Sequence, residues 1–220
     1  MQQNILEKVI EKYRDAYDAI PQAALELDLR VTVKTIQALA KGKPISPAQL
    51  ANIWDMPLEQ VQAILKQAEE NGRVEINSQG ELVGAVLSLN PTQHQILMDN
   101  QHLYAWCAYD AMYAPGVVGK PAQIVSKDPV TDRTIQVSIT PDGVETIQPE
   151  SAVVSVVDPG GDMSAGPEST RCTHMLFFES REAAEQWKQG RTGVSILTVE
   201  EVVELAKEFQ IEPARRLGLV

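Results

Sequence analysis

Three residues of this sequence combine the functional groups needed to bind a soft metal and to move a proton. Cys107 and Asp110 lie three positions apart in the stretch LYAWCAYD, and Cys172 follows much later in the chain. On a helix, the side chains of Cys107 and Asp110 would share one face. Thiolate is the softest ligand that a protein offers, and a carboxyl group can carry a proton.

The spacing of the cysteines leaves several uses open. The chain has two cysteines and therefore no CxxC motif of a zinc or redox site. They could form a disulfide, remain inert buried thiols, or meet in space as one soft site, and in a cytoplasmic protein the disulfide is the least favoured. His174 is predicted to share a strand face with Cys172, although packing is the more common role of such a histidine. His94 and His102 show no local pattern and are assigned no function.

Composition and charge narrow the class of protein. The 220 residues carry a net charge of −11, with 44% apolar and 22% charged residues, which is typical of a globular protein. No apolar run has the length of a membrane span, and the first ten residues lack the pattern of a signal peptide. Acidic chains bind phosphate backbones poorly. We therefore expect a cytoplasmic protein with neither a membrane nor a nucleic acid as partner.

The N-terminal part shows the order of a winged-helix module. A helix from Asn4 to about Tyr17 and another over 33–41 precede a short helix ending at Trp54. A longer helix follows over 57–70, and then a hairpin that turns at 78–80. The second helix of the helix-turn-helix pair is acidic, which favours a packing scaffold over a DNA reader.

The remainder of the chain predicts an α+β domain. Asn90 and Pro91 suggest a boundary between a winged-helix-like domain (1–90) and a catalytic domain (91–220) with a mixed, largely antiparallel sheet and flanking helices. A helix is expected over 101–115, and a mobile loop over 158–170. Predicted strands are AQIVS, TIQVSIT, AVVSVV, THMLFF and GVSILT, and further helices begin after Ser180 and Thr198.

Two motifs, LYAWCAYDAMYAPGVVGKPAQI and STRCTHMLFF, resemble those of the bacterial organomercurial (alkylmercury) lyases. The similarity covers roughly 39–209. The resemblance implies cleavage of carbon–mercury bonds by protonolysis to a hydrocarbon and Hg(II), with no organic cofactor. It implies that Cys107 and Cys172 bind mercury and that Asp110, which could also contact the metal, shuttles the proton. A winged-helix-like unit would pack on this catalytic core.

The family's biology implies that low-molecular-weight thiols release Hg(II) and that a mercuric reductase accepts it. The chain departs from some relatives near the second cysteine. Thr173 follows Cys172 where some members have adjacent cysteines, Arg171 replaces an aromatic residue, and a non-catalytic cysteine of some relatives is missing. These differences leave every catalytic group in place and leave the substrate range open.

The surroundings expected for Asp110 agree with its role as proton carrier, but two other functions remain possible for this sequence. Burial beside Tyr and Trp rings is expected to raise the pKa of Asp110 towards neutrality, as a proton carrier needs. The first alternative is a non-catalytic protein that binds copper or zinc through Cys107, Cys172 and either Asp110 or His174. The second is a winged-helix regulator that responds to metal.

Overall fold

The computed structural model describes residues 4–159 and 171–220. Its helices are α1 (Ile5–Asp18), α2 (Gln22–Leu39), α3 (Pro47–Trp54), α4 (Leu58–Glu70), α5 (Ala108–Val118), α6 (Arg181–Lys188), α7 (Val199–Ala206) and α8 (Glu212–Arg216), with a π-helical turn (Lys207–Ile211) between the last two. No helix in these two ranges has both the length and the apolar character needed to cross a bilayer.

The strands form two antiparallel sheets. They are β1 (Glu75–Ile76), β2 (Leu82–Ala85), β3 (Leu87–Ser88), β4 (His94–Met98), β5 (Gln101–Ala105), β6 (Ala122–Lys127), β7 (Thr134–Thr140), β8 (Gly143–Gln148), β9 (Val153–Val157), β10 (Phe177–Phe178) and β11 (Val194–Thr198). The larger sheet has the order β1-β2-β3-β5-β4-β6-β7-β8, and the smaller has the order β10-β9-β11. The predicted α+β class with a largely antiparallel sheet is confirmed.

The N-terminal elements follow the predicted order, and their ends have local causes. A capping box of Ser46 and Gln49 begins α3, and Asp55 ends it in the left-handed conformation at φ 57°. The predicted helix over 57–70 is α4, and β1 pairs with β2 as the expected hairpin. The helix predicted over 33–41 is longer in the structure. It is α2, which begins at Gln22, where the preceding Pro21 supplies a φ suited to a helix start.

The larger sheet continues across the expected boundary at residues 90 and 91. Its order places β3, which precedes the boundary, beside β5, which follows it. One hydrophobic core also contains residues from both sides, including Leu39, Leu82, Ile96 and Val154. The division into domains 1–90 and 91–220 remains a prediction.

The prediction of a helix over 101–115 was wrong for its first seven residues. Residues 101–105 form β5, which pairs with β4 through a tight turn whose Asp99 and Asn100 have positive φ. The turn residues and the half-buried alternation of β4 decide this pairing. The helix α5 begins only at Ala108 and continues past Pro115 to a left-handed cap at Gly119.

The strand predicted from THMLFF is shorter than expected. Only Phe177 and Phe178 pair with β9, whereas residues 171–174 form a helical turn. The Ser155 hydroxyl group on β9 donates to the carbonyl oxygen of His174 and accepts from the Leu176 N–H group, so side-chain bonds replace part of the strand ladder. Of the expected mobile loop, residues 160–170 lie outside the described residues.

The helix predicted to end near Phe209 contains a π-helical turn and then continues. Thr198 and Glu201 form the predicted capping box of α7. The turn packs against α5 at Gly116, where a β-carbon would lie 2.4 Å from Cδ1 of the buried Ile211. A larger residue at position 116 would therefore require the Ile211 side chain of this turn to move.

His94 is a fully buried histidine in the larger sheet. Its Nδ1 atom lies 2.9 Å from the Ser126 hydroxyl group, and its ring lies 5.8 Å from that of Phe177. Its Nε2 atom is buried and has no hydrogen-bond partner among the described residues. Burial lowers the pKa of His94 from 6.5 to about 4. The folded protein thus holds this side chain neutral under conditions in which an unfolded chain would protonate it.

This burial predicts a loss of stability in mild acid. Between pH 6.5 and pH 4 the unfolded chain binds a proton at His94 that the folded chain does not, so lowering the pH favours unfolding. The resulting loss is roughly 2 kcal/mol between pH 7 and pH 5. Urea unfolding of wild type and His94→Gln at both pH values should show this loss only in the wild type. An equal pH dependence in the two proteins would contradict it.

Candidate active site

Cys107 lies where β5 passes into α5. Its backbone is extended at φ −145° and ψ 171°, and its Sγ atom accepts a hydrogen bond from the Asp110 N–H group at 3.4 Å. Cys107 is therefore the N-cap of α5 rather than a residue within a helix, which corrects the predicted geometry. The cap still brings Cys107 and Asp110 together, because an N-cap side chain reaches the third residue of its helix.

Cys172 is held near this cap by backbone hydrogen bonds. The Met175 N–H group donates to the carbonyl oxygen of Cys172 at 3.2 Å, and the Ala108 N–H group donates to that of Met175 at 2.9 Å. The Sδ atom of Met175 also lies 4.0 Å from Cys107 Sγ. The turn that carries the second cysteine is thus attached directly to the first residue of α5.

The three predicted residues meet at one point. Cys107 Sγ, a carboxylate oxygen of Asp110 and Cys172 Sγ all lie within 4.8 Å of one another, and Cys172 Sγ is 3.8 Å from Asp110 Oδ2. Both cysteines are free thiols, so the disulfide alternative does not occur in this structure. Two sulfur atoms beside a carboxyl group could bind a soft metal ion and exchange protons with it.

Burial keeps one of these thiols protonated. The side chain of Cys107 is almost completely buried, whereas that of Cys172 is partly exposed. Burial raises the pKa of the Cys107 thiol well above its ordinary value, and the hydrogen bond with Cys172 and the negative charge of Asp110 raise it further. Cys107 therefore retains its proton at neutral pH until a ligand displaces it.

A cavity of about 1090 Å³ opens onto the three residues. Aromatic side chains from distant parts of the chain contribute to its wall: Tyr13, Tyr17, Trp106, Tyr109 and Phe209. Trp106 and Tyr109 belong to the motif LYAWCAYD and lie close to Cys107 in the chain. Nothing near Tyr13, Tyr17 or Phe209 in the sequence indicated a site, since only the tertiary fold brings α1 and the π-helical turn to α5.

The histidines lie outside this group. The His174 ring is 6.0 Å from that of Trp187, and its Nδ1 atom is 3.2 Å from Thr173 Oγ1. His94 is buried in the sheet, and His102 is exposed on β5. Within the described residues, the set of candidate ligands at this site contains Cys107, Asp110 and Cys172 and no histidine.

This fold and this group of side chains define an α+β protein in which two thiols and one carboxyl group lie close enough together to bind a soft metal ion. A family model described as "MerB: Alkylmercury lyase" matches residues 87–210. The chain belongs to the alkylmercury lyase family, which is a family of enzymes. Family membership favours an enzyme over a passive metal-binding protein or a regulator.

Named relatives support this membership. The chain is 34% identical to an alkylmercury lyase of Staphylococcus epidermidis over 174 residues, which cover 79% of this chain and 78% of the relative. It is 36% identical to that of Bacillus cereus over 172 residues, covering 78% and 77%. A solved structure of the mercury-bound form of MerB2 shares the fold with a TM-score of 0.74 and 22% identity, covering 92% of this chain and 97% of the other.

The unequal burial of the two thiols predicts different reactivities. Iodoacetamide at pH 7.5 should label Cys172 before Cys107, because each unit of raised thiol pKa lowers the thiolate fraction about tenfold. Mass spectrometry of peptides after timed quenching would give both rates, and the same reaction in urea should bring the rates together. Faster labelling of Cys107 in the folded protein would contradict the inferred burial effect.

Proposed function

We propose that this protein cleaves the carbon–mercury bond of organomercurials by protonolysis, with Cys107, Cys172 and Asp110 as its catalytic groups. The observation that carries the proposal is the approach of two thiols and one carboxyl group to within 4.8 Å of one another. Family membership supplies the reaction class, and the residue roles follow from the chemistry of these three groups.

The two sulfur atoms are suited to mercury as substrate. Mercury is a soft metal that prefers thiolate to oxygen or nitrogen ligands. Coordination by Cys107 and Cys172 would give electron density to the metal and weaken its bond to carbon. The same two sulfur atoms would then hold the Hg(II) product, so that no separate product site is required.

The protons of the thiols balance the reaction. A cation R–Hg⁺ and two Cys–SH groups give R–H, Hg(S–Cys)₂ and one proton. The carbon–mercury bond breaks, a carbon–hydrogen bond forms, and mercury keeps its oxidation state. The balance involves no oxidation or reduction, so the reaction requires no redox cofactor. The protonated Cys107 thiol stores a proton that metal binding releases.

Asp110 is suited to carry that proton. Its Oδ2 atom lies 3.8 Å from Cys172 Sγ, and its own N–H group donates to Cys107 Sγ. The side chain is 8% exposed, which limits exchange of the proton with bulk water. The carboxyl group would accept a proton from a thiol and donate it to the carbon bonded to the same mercury atom.

Product release would use thiol chemistry from outside the protein. Two low-molecular-weight thiols can exchange with the two cysteines, returning both Cys–SH groups and removing Hg(II) as a dithiolate complex. The cavity and the partial exposure of Cys172 provide access for this exchange. A mercuric reductase would be the acceptor of the released Hg(II).

Removing either thiol should abolish turnover. Cys107→Ser and Cys172→Ser replace a soft ligand by a hard one, and each should lower hydrocarbon release by more than about 100-fold. Benzene from phenylmercury and methane from methylmercury would be measured by gas chromatography in excess thiol. Wild-type rates in either variant would remove that cysteine from the mechanism, and no hydrocarbon from the wild type would overturn the proposed function.

Removing the carboxyl group should separate binding from cleavage. Asp110→Asn keeps the shape of the side chain and both thiols, so one mercurial should still bind per protein. Turnover should fall by about 10²- to 10⁴-fold, the usual contribution of a general acid or base. Asp128→Asn is a matched control, because Asp128 is also buried but accepts backbone hydrogen bonds outside the cavity. Equal turnover by the two variants would exclude Asp110 as the proton carrier.

A further inference from the structure

The cavity is larger than the bond-breaking groups require. Its volume of about 1090 Å³ lies just above the range of roughly 300–1,000 Å³ for small-molecule sites. The thiols and Asp110 occupy only part of its wall, and a methyl group on mercury would leave most of the space unused. The remaining wall should therefore contact the organic group of a larger substrate.

Gln210 links two aromatic side chains of this wall. The Tyr109 hydroxyl group donates to Gln210 Oε1 at 2.5 Å, and Gln210 Nε2 donates to the Tyr17 hydroxyl oxygen at 2.9 Å. The three side chains belong to α5, the π-helical turn and α1, and all three line the cavity. One amide group thus connects three elements that are far apart in the chain.

The π-helical turn is what presents Gln210 to the cavity. Such turns inside helices often lie at functional sites. Here the turn packs closely on Gly116, as described above, and its Phe209 ring lies 5.1 Å from the ring of Tyr17 and 5.5 Å from that of Tyr13. These contacts fix the aromatic wall on one side, while the amide of Gln210 fixes the hydroxyl ends of Tyr17 and Tyr109.

The hydroxyl group of Tyr109 stays neutral and therefore remains a donor. Burial raises the pKa of Tyr109 well above its ordinary value. A neutral phenol whose hydroxyl group is bound to Gln210 offers its ring for packing, since its only polar group is already satisfied. Tyr109 and Asp110 both line this cavity, so the aromatic wall and the proposed proton carrier face the same space.

We infer that Gln210 is a positioning residue that holds Tyr17 and Tyr109 as an aromatic subsite for the organic group of arylmercurials. This inference rests on the proposed lyase activity and specifies which substrates the cavity favours. A phenyl group bonded to mercury at the thiols would pack against the two tyrosine rings, whereas a methyl group would not reach them. Gln210 acts through the tyrosines and touches neither mercury nor the bond that breaks.

Gln210→Met tests this role, because methionine fills similar space and cannot bridge the two hydroxyl groups. The value of kcat/KM for phenylmercury should fall roughly tenfold, mainly through a higher KM, as expected from loss of aromatic packing. The value for methylmercury should change less than about twofold. Both would be measured as hydrocarbon release, so that the phenyl-to-methyl ratio is compared within one protein preparation.

Two further variants separate positioning from stability. Gln37→Met is a matched control, since Gln37 Nε2 donates to the carbonyl oxygens of Val117 and Leu219 away from this cavity. It should keep the wild-type ratio even if its melting temperature falls as much as that of Gln210→Met. Gln210→Glu offers a carboxylate oxygen to each tyrosine hydroxyl group, with Tyr17 donating where it now accepts, and should keep most of the wild-type ratio.

The possible results separate the test of the aromatic subsite from the test of the lyase activity. A lower ratio in Gln210→Met, but not in Gln37→Met or Gln210→Glu, would support the aromatic subsite. An unchanged ratio, or an equal loss with both substrates, would overturn the inference while leaving the lyase activity established. No hydrocarbon from the wild type with either substrate would overturn the proposed function, and the inference with it.

Discussion

The site depends on one hydrogen-bonded junction, at which Cys107 caps the helix α5. The cap turns the chain from β5 into α5 and directs the sulfur atom to the N–H group of Asp110. The adjacent Ala108 N–H group binds the carbonyl oxygen of Met175, which places Cys172 beside the same helix start. A helix N-terminus favours negative charge, so this arrangement also suits the thiolate that forms when a metal binds.

Burial of Cys107 at this junction determines the protonation of its thiol. A thiol that is shielded from water and lies beside a carboxyl group keeps its proton, and a soft metal is the kind of ligand that displaces it. In the proposed reaction, this proton would be released next to Asp110 rather than into solvent. Metal binding and proton delivery would then be coupled at one place, as protonolysis of a carbon–metal bond requires.

The N-terminal part also supplies side chains to the cavity wall. Tyr13 and Tyr17 on α1 form part of the cavity wall, and the Tyr13 hydroxyl group donates to the carbonyl oxygen of Val157 at the end of β9. Lys12 forms an ion pair with Asp158 at 2.6 Å, next to the same strand end. Helix α1 is thus attached to the smaller sheet at the edge of the cavity that contains the three candidate residues.

The sequence by itself determined the α+β class and most helix starts, because capping boxes and alternation are local signals. It also indicated the three candidate site residues, through the two motifs LYAWCAYD and STRCTHMLFF and their resemblance to a known family. Only the tertiary structure decided that residues 101–105 are a strand, since pairing with β4 overrides local helix compatibility. It likewise decided the short β10, the π-helical turn and the place of Gln210. Each of these depends on partners far away in the chain, and no local pattern encodes a distant contact.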